Sequence, residues 1–281
     1  MSAQGMHLEL LGSFRFTCCG RTVALPLGAQ RLLAFLALQR NGIHRGVAAE
    51  QLWPDCLPSR AGANLRTALC QCRHAHAQAV VVSTSQGLVP SPSVDVDLHH
   101  MRNRAHQIVS GAAPLPDDYD ETVGDLSDEL LPGWFDEWLT LERECWDQMR
   151  LHALESLAQQ LQTAERYALA LQTALAAIAI DPVRETAHRI LIETHVAEGN
   201  VACAILRFRQ YKSFLQQELG VLPSPHMLAV INDIASMQTG PNGPTTHPED
   251  GDGCRNNTVR GDHLLDSRTP NWRDITDTVD R

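Results

Sequence analysis

The first hundred residues change their hydrophobic period twice, and the order of the changes leaves few folds open. "LELLGSFRFTC" (8–18) carries alternating stretches, and Gly20-Arg21 marks a turn before "TVALPL", so the chain starts in strands. From Ala29 the period becomes helical: Leu32, Leu33 and Leu36, with Ala34 and Ala37, form one apolar face that ends at Asn41-Gly42. "GVAAEQLWPD" reads as a short helix with Val47, Leu52 and Trp53 on its apolar side and Pro54 as its stop. Ser59 is a candidate N-cap for a longer helix reaching about residue 77. "AVVVSTSQGLVP" then reads as two short strands around a Gln86-Gly87 turn. Strands, helix, short helix, longer helix, hairpin: this is the layout of a winged helix-turn-helix domain with an N-terminal sheet.

The longer helix has two unlike faces. At 100° per residue, Leu65, Ala68, Leu69 and Cys72 fall together, and Arg66, Thr67, Cys70, Arg73 and His74 fall opposite. The apolar face is expected against Leu52 and Trp53. The arginine face is left for solvent or a ligand, and in this layout it enters the major groove of DNA. Arginine suits guanine because its two-pronged donor matches two acceptors on one base edge. Arg66 and Arg73 are therefore the first candidates for base contact, with Asn64, Thr67 and His74 beside them. Arg60, at the helix start, is a candidate phosphate contact, and Ser83, Ser85 and Gln86 form the tip of the wing.

Charge supports that division. The formal net charge is −10, yet residues 1–90 hold eight arginines against Glu9, Glu50 and Asp55, a balance of +5. The remaining residues hold 15 basic against 30 acidic groups, or −15. A basic region neutralises phosphates, and the acidic remainder is repelled by them. Two domains with different partners are expected.

The second half is helical almost throughout from residue 138 to about 218. Ala170, Ala174 and Ala177 recur 34 residues later as Ala204, Phe208 and Tyr211, and Pro182 and "LPSP" (222–225) close the two units. That spacing is the tetratricopeptide period, in which helix pairs bury their faces by stacking. The acidic stretch 117–129 reads as a solvated linker with nothing apolar around it to shift a carboxylate. Residues 239–281 contain four prolines, five glycines and Trp272 as their one aromatic, and read as a disordered tail.

Motifs for other chemistry are missing from the sequence: there is no HExxH, GxSxG or GxGxxG. The eight cysteines are scattered, so reduced thiols in a cytoplasmic protein are expected, with no membrane span. Cys70 and His74 are i, i+4 neighbours and so are Cys72 and His76, but the pairs lie about 200° apart around the axis. One zinc ion does not collect all four, so no metal and no cofactor is expected. A thiol- or metal-responsive regulator using Cys70 and His74 is one alternative; a tetratricopeptide-type adaptor that binds only protein is another. Cys18-Cys19 and His99-His100 read as adjacent side chains pointing apart.

Taken together, "EQLWPD", "ANLRTALCQCRH", "VDVDLHHM", "LLPGWFDEWLTLERE", "RLHALESLA", "DPVRETAHRILIETHVAEGN" and "ELGVLPSP" resemble the antibiotic-regulatory-protein family of actinomycete transcriptional activators, over about residues 6–235. The resemblance implies a mainly α protein. Its parts are a winged helix-turn-helix at 6–100, an all-α, tetratricopeptide-like bacterial transcriptional activation domain at 101–238, and the tail at 239–281. It implies a non-enzymatic, cytoplasmic and nucleoid-associated activator. Such a protein binds direct repeats in promoter DNA as a homodimer and recruits RNA polymerase holoenzyme, often at a secondary-metabolite gene cluster. Family members usually carry Trp and Leu where this helix has Cys70 and Cys72, which implies a smaller core contact at Cys72 and an altered base preference at Cys70.

Overall fold

A computed structural model describes residues 5–39, 42–75, 80–83, 87–112 and 114–238. The protein is mainly helical, with two small sheets in its N-terminal part. The expected disordered tail, with Trp272, lies outside the described residues.

The N-terminal sheet is built from β1 (Met6–Glu9), β2 (Arg15–Cys18), β3 (Arg21–Thr22) and β6 (Val94–Val96), in the order β3-β2-β1-β6. β1 pairs antiparallel with β2 and parallel with β6, with Met6 opposite Cys18 on one side and Val94 on the other. β1 alternates buried Met6 and Leu8 with half-buried His7 and Glu9, as a strand with one core face should. β6 closes the winged domain back onto its first strand. Sequence periodicity did not show it, because a three-residue strand carries too little alternation to register.

Between those strands run α1 (Leu27–Leu38), α2 (Arg45–Leu52), α3 (Pro58–Ala75) and the hairpin β4 (Val81–Ser83) and β5 (Leu88–Pro90). This matches the sequence reading element for element. α3 starts one residue before Ser59, with Pro58 in the first turn, where its missing N–H costs nothing. The hairpin pairs Val81 with Pro90 and Ser83 with Leu88.

Then come α4 (Asp97–Ser110), α5 (Tyr119–Ser127), α6 (Glu137–Thr163), α7 (Tyr167–Ile180), α8 (Glu185–Ala197), α9 (Val201–Glu218) and α10 (Pro225–Gln238). α7 and α9 begin 34 residues apart, and all six of the repeat positions named above are buried. Tyr211 stacks on His188 with ring centroids 4.0 Å apart and donates its hydroxyl to the Val183 carbonyl at 3.1 Å.

The reading of 117–129 as a solvated linker is corrected. α5 lies against α6 and α7 and buries Tyr119, Thr122 and Leu126 at an i, i+3, i+7 spacing. Burial, then the neighbouring Glu121 and Asp128 charges, raises the Asp125 carboxyl above its ordinary value. The acidic letters masked a short apolar stripe.

The described residues form one compact unit, and the boundary placed at residue 100 falls inside α4. One apolar core runs from Met6 to Leu191. Leu11 bridges to Leu130, the Leu131 N–H donates to the Leu10 carbonyl at 2.8 Å, and Gly12 N–H donates to Glu129 at 2.9 Å. Arg31 on α1 pairs with Asp136, and Phe35 meets Trp138 edge to face at 5.2 Å. The Asp97 carboxylate accepts from the backbone N–H groups of Leu10, Leu11 and Leu98.

His188 generates a pH prediction. Burial holds its imidazole down to about 4, against an ordinary 6.5, although its Nε2 lies 3.0 Å from the Pro182 carbonyl. A group with a depressed folded value binds fewer protons folded than unfolded between those two values. Stability is therefore lost as pH falls from about 6.5 towards 4, by up to about 3 kcal/mol. Urea midpoints measured from pH 7 to 4 should show this fall. His188→Phe keeps a ring against Tyr211 but takes up no proton, so it should flatten that part of the profile.

Candidate nucleic-acid interface

The interface is built on α3. Ala61, Leu65, Ala68 and Cys72 are buried, and α3 packs on α1 and α2 through this face. The Cys72 thiol reaches the Ala29 carbonyl at 3.8 Å, and burial pushes it up to about 12. Cys72 is a core side chain that stays protonated. Arg66, Thr67, Cys70, Arg73 and His74 are all exposed on the opposite face.

Arg66 and Arg73, two turns apart, line a cleft of about 200 Å³ together with Arg45, Leu69, Cys70, Cys72, Val80, Val81 and Ser83. The cleft lies between α3, the start of α2 and the wing. Arg45 donates to the Ser83 hydroxyl at 2.7 Å, so α2 and the wing meet at its rim. Among the described residues, none of Arg45, Arg60, Arg66 and Arg73 forms an ion pair, whereas Arg15 pairs with Glu9 and Arg31 with Asp136. Among the described residues Arg21, Arg166, Arg207 and Arg209 also form no ion pair, but only Arg45, Arg66 and Arg73 of these unpaired arginines line the cleft. Unneutralised guanidinium groups facing one cleft constitute a site for anionic oxygens.

The other expected residues are placed less uniformly. Arg60 is exposed in the first turn of α3 and does not line the cleft. The half-buried Asn64 turns its amide towards Cys56 Sγ at 3.8 Å. The Thr67 hydroxyl donates back to the Ala63 carbonyl at 3.1 Å. His74 Nδ1 lies 2.7 Å from the Cys70 carbonyl and 3.4 Å from Cys70 Sγ. Ser83 is exposed at the end of β4, and Ser85, Gln86 and His76 lie outside the described residues. Among the described residues, no group of three or more His, Cys, Asp or Glu side chains is arranged to hold a metal ion.

The sequence reading passed over Arg45. Its signal was present: a cation in the first turn of a helix opposes the helix dipole and needs a compensating role. The reading of Cys18 and Cys19 as pointing apart is also corrected. Their Sγ atoms lie 3.6 Å apart, because Cys19 is a turn residue with φ 49° and not part of the strand. His99 and His100 do diverge, to the Ala37 carbonyl and to Asp95.

Residues 117–235 match the family described as bacterial transcriptional activator domain. This part of the chain is similar to that domain. It begins just before α5 and ends in α10, so it comprises the helical repeat and the acidic α5 that precedes it. The chain is also similar in fold to the solved structure of Mycobacterium tuberculosis EmbR in complex with a low-affinity phosphopeptide, at 19% identity and a TM-score of 0.67. The likeness covers 84% of this chain and 66% of EmbR, so this chain spans about two thirds of that structure. No curated protein matches the sequence. The antibiotic-regulatory-protein resemblance is borne out by the activator-domain match together with the shared fold. No helix among the described residues is long and apolar enough to cross a membrane.

The wing is held to the turn before α2 by two backbone bonds, Ile43 N–H to Leu88 O at 3.0 Å and Leu88 N–H to Ile43 O at 2.8 Å. Gly87 permits this approach. It has φ 148°, and a Cβ there would lie 2.2 Å from the Ile43 carbonyl oxygen. Gly87→Ala should therefore displace the wing from the cleft, at a cost of about 1–3 kcal/mol for a forced contact. Thermal melting and amide exchange at Leu88 would register it; unchanged protection of Leu88 would contradict the wing assignment.

Proposed function

We propose that this protein is a sequence-specific activator that binds double-stranded promoter DNA with α3 and the wing and recruits RNA polymerase holoenzyme through its helical domain. In this reading, residues 6–100 are the DNA-binding part and 101–238 the activation part, joined by a shared core. Arg66 and Arg73 read bases, Arg60 and Arg45 meet phosphate, and Ser83, Ser85 and Gln86 carry the wing to the backbone. Thr67 and His74 flank the arginines, and Asn64 supports the helix start. The observation that carries the reading is the cleft in which Arg45, Arg66 and Arg73 lie without any carboxylate partner. A secondary-metabolite gene cluster is the proposed target, and the nucleoid the proposed place of action. No catalytic residue or cofactor enters the scheme.

A protein-only adaptor has the repeat helices in its favour but offers no use for the unneutralised cleft. A metal-responsive regulator finds two ligands, Cys70 and His74, where a structural zinc takes four.

Arg66→Ala and Arg73→Ala should each weaken binding to the cognate promoter by about 1–3 kcal/mol and relax sequence preference, if each reads a base. Gel shifts on promoter fragments test this, and a double variant that binds like the wild type would remove α3 from the interface.

One helix and one wing read only a few base pairs, too little to stand out among genomic sites. A head-to-tail pair on a direct repeat is therefore proposed, with half-sites about 10–10.5 bp apart or a multiple of it. Inserting about 5 bp between half-sites should abolish cooperative binding, and about 10 bp should restore part of it. Promoter activity indifferent to both insertions would exclude the tandem arrangement.

A further inference from the structure

The dithiol Cys18–Cys19 lies in the β2–β3 turn, a part of the fold that the DNA-binding reading does not use. Cys18 pairs with Arg21 across the hairpin, so Cys19 and Gly20 form a two-residue loop. Both have positive φ, 49° and 74°, the signature of a type I′ turn. Asn-Gly is the favoured pair in such a turn, and a cysteine at the first position is costly there. Two neighbouring residues in a continuous strand direct their side chains to opposite faces. The left-handed backbone at Cys19 instead brings the two sulfurs to 3.6 Å. Cys19 is exposed, and Cys18 is buried beneath it at the strand end.

Distance decides which chemistry suits this pair. A direct disulfide needs the sulfurs about 2.05 Å apart and the α-carbons usually about 4.4–6.8 Å apart. Adjacent residues across a trans peptide hold their α-carbons about 3.8 Å apart, so a bond between Cys18 and Cys19 is strained. A single thiophilic atom bonded to both sulfurs makes a smaller demand. An atom bonded to each sulfur at about 2.3 Å bridges a separation well beyond that of a disulfide, and 3.6 Å lies within its span.

We propose that Cys18 and Cys19 form a chelating site for soft, trivalent thiophiles of the arsenical class, which bridge the two sulfurs through one atom. With an arsenoxide, two As–S bonds form and the bonds from arsenic to its oxygen break. The two thiol protons leave with that oxygen as water, and arsenic remains trivalent, so no oxidant is required. Burial and the adjacent Cys19 sulfur push the Cys18 thiol up from its ordinary value, so exposed Cys19 attacks first and Cys18 closes the ring. The remaining cysteines of the described residues, Cys56, Cys70, Cys72, Cys145 and Cys203, have no second thiol bonded to them in this way.

The test uses the reduced full-length protein and phenylarsine oxide, followed by excess 2-mercaptoethanol, with intact mass and tryptic mapping as readouts. A chelated arsenical survives a monothiol and is released by a dithiol such as 2,3-dimercaptopropanol. One phenylarsine adduct per chain is expected, on the tryptic peptide covering residues 16–21. Cys19→Asn, which suits the turn and preserves the fold, should reduce it to none. Cys56→Ser and Cys70→Ser should retain it. The proposal is overturned by a monothiol-resistant adduct that persists in Cys19→Asn or maps elsewhere. It is equally overturned by the absence of any such adduct, or by loss of two hydrogens in its place, which marks a disulfide.

Discussion

The backbone of Leu10–Gly12 is gripped from two sides, and the arrangement of both halves depends on that grip. From one side the Asp97 carboxylate accepts the N–H groups of Leu10 and Leu11. From the other, the Leu131 N–H donates to the Leu10 carbonyl and the Gly12 N–H donates to the Glu129 carbonyl. A half-buried carboxylate that receives several N–H donors resists displacement, because leaving each buried donor unpaired costs about 1–3 kcal/mol. Asp97 is also the first residue of α4, so the same side chain sets where the sheet ends and the helical domain begins.

The loop that meets this segment is held in turn by α6. The Arg143 guanidinium donates to the carbonyls of Leu130, Leu131 and Trp134, and Arg150 donates to that of Ser127. Trp146 donates its indole N–H to the Asp128 carbonyl at 2.9 Å. The acidic half therefore spends much of its basic complement internally, on carbonyls and on pairs such as Arg184 with Glu155 and Arg102 with Glu142. On α2 and α3 the arginines meet no carboxylate. This difference in neutralisation, more than the difference in count, gives the cleft its field.

A shared core has a consequence for how an activator of this shape works. The helical domain is packed against α1 through Arg31–Asp136 and Phe35–Trp138, and α3 also packs on α1 and α2. In the proposed reading, displacement of α3 on a DNA groove is transmitted through the packed side chains of this shared core. Close-packed interiors carry such strain because they have no free volume to absorb it.

The sequence by itself determined the local elements and their faces. The two faces of α3, the hairpin with Gly87, the 34-residue repeat and the charge asymmetry all follow from short-range periodicity and composition, which need no knowledge of partners. Tertiary structure decided what long-range pairing alone decides. β6 became a strand because β1 lay open beside it, and 117–129 became a packed helix because α6 and α7 offered its stripe a surface. Arg45 joined the cleft because the wing folds back to meet α2. Asn64 turned away from that cleft because Cys56 stood within reach. Cys18 and Cys19 met because one left-handed residue changed which way a side chain projects, and a backbone angle of that kind follows from the hairpin's register and not from the identity of the residue that occupies it.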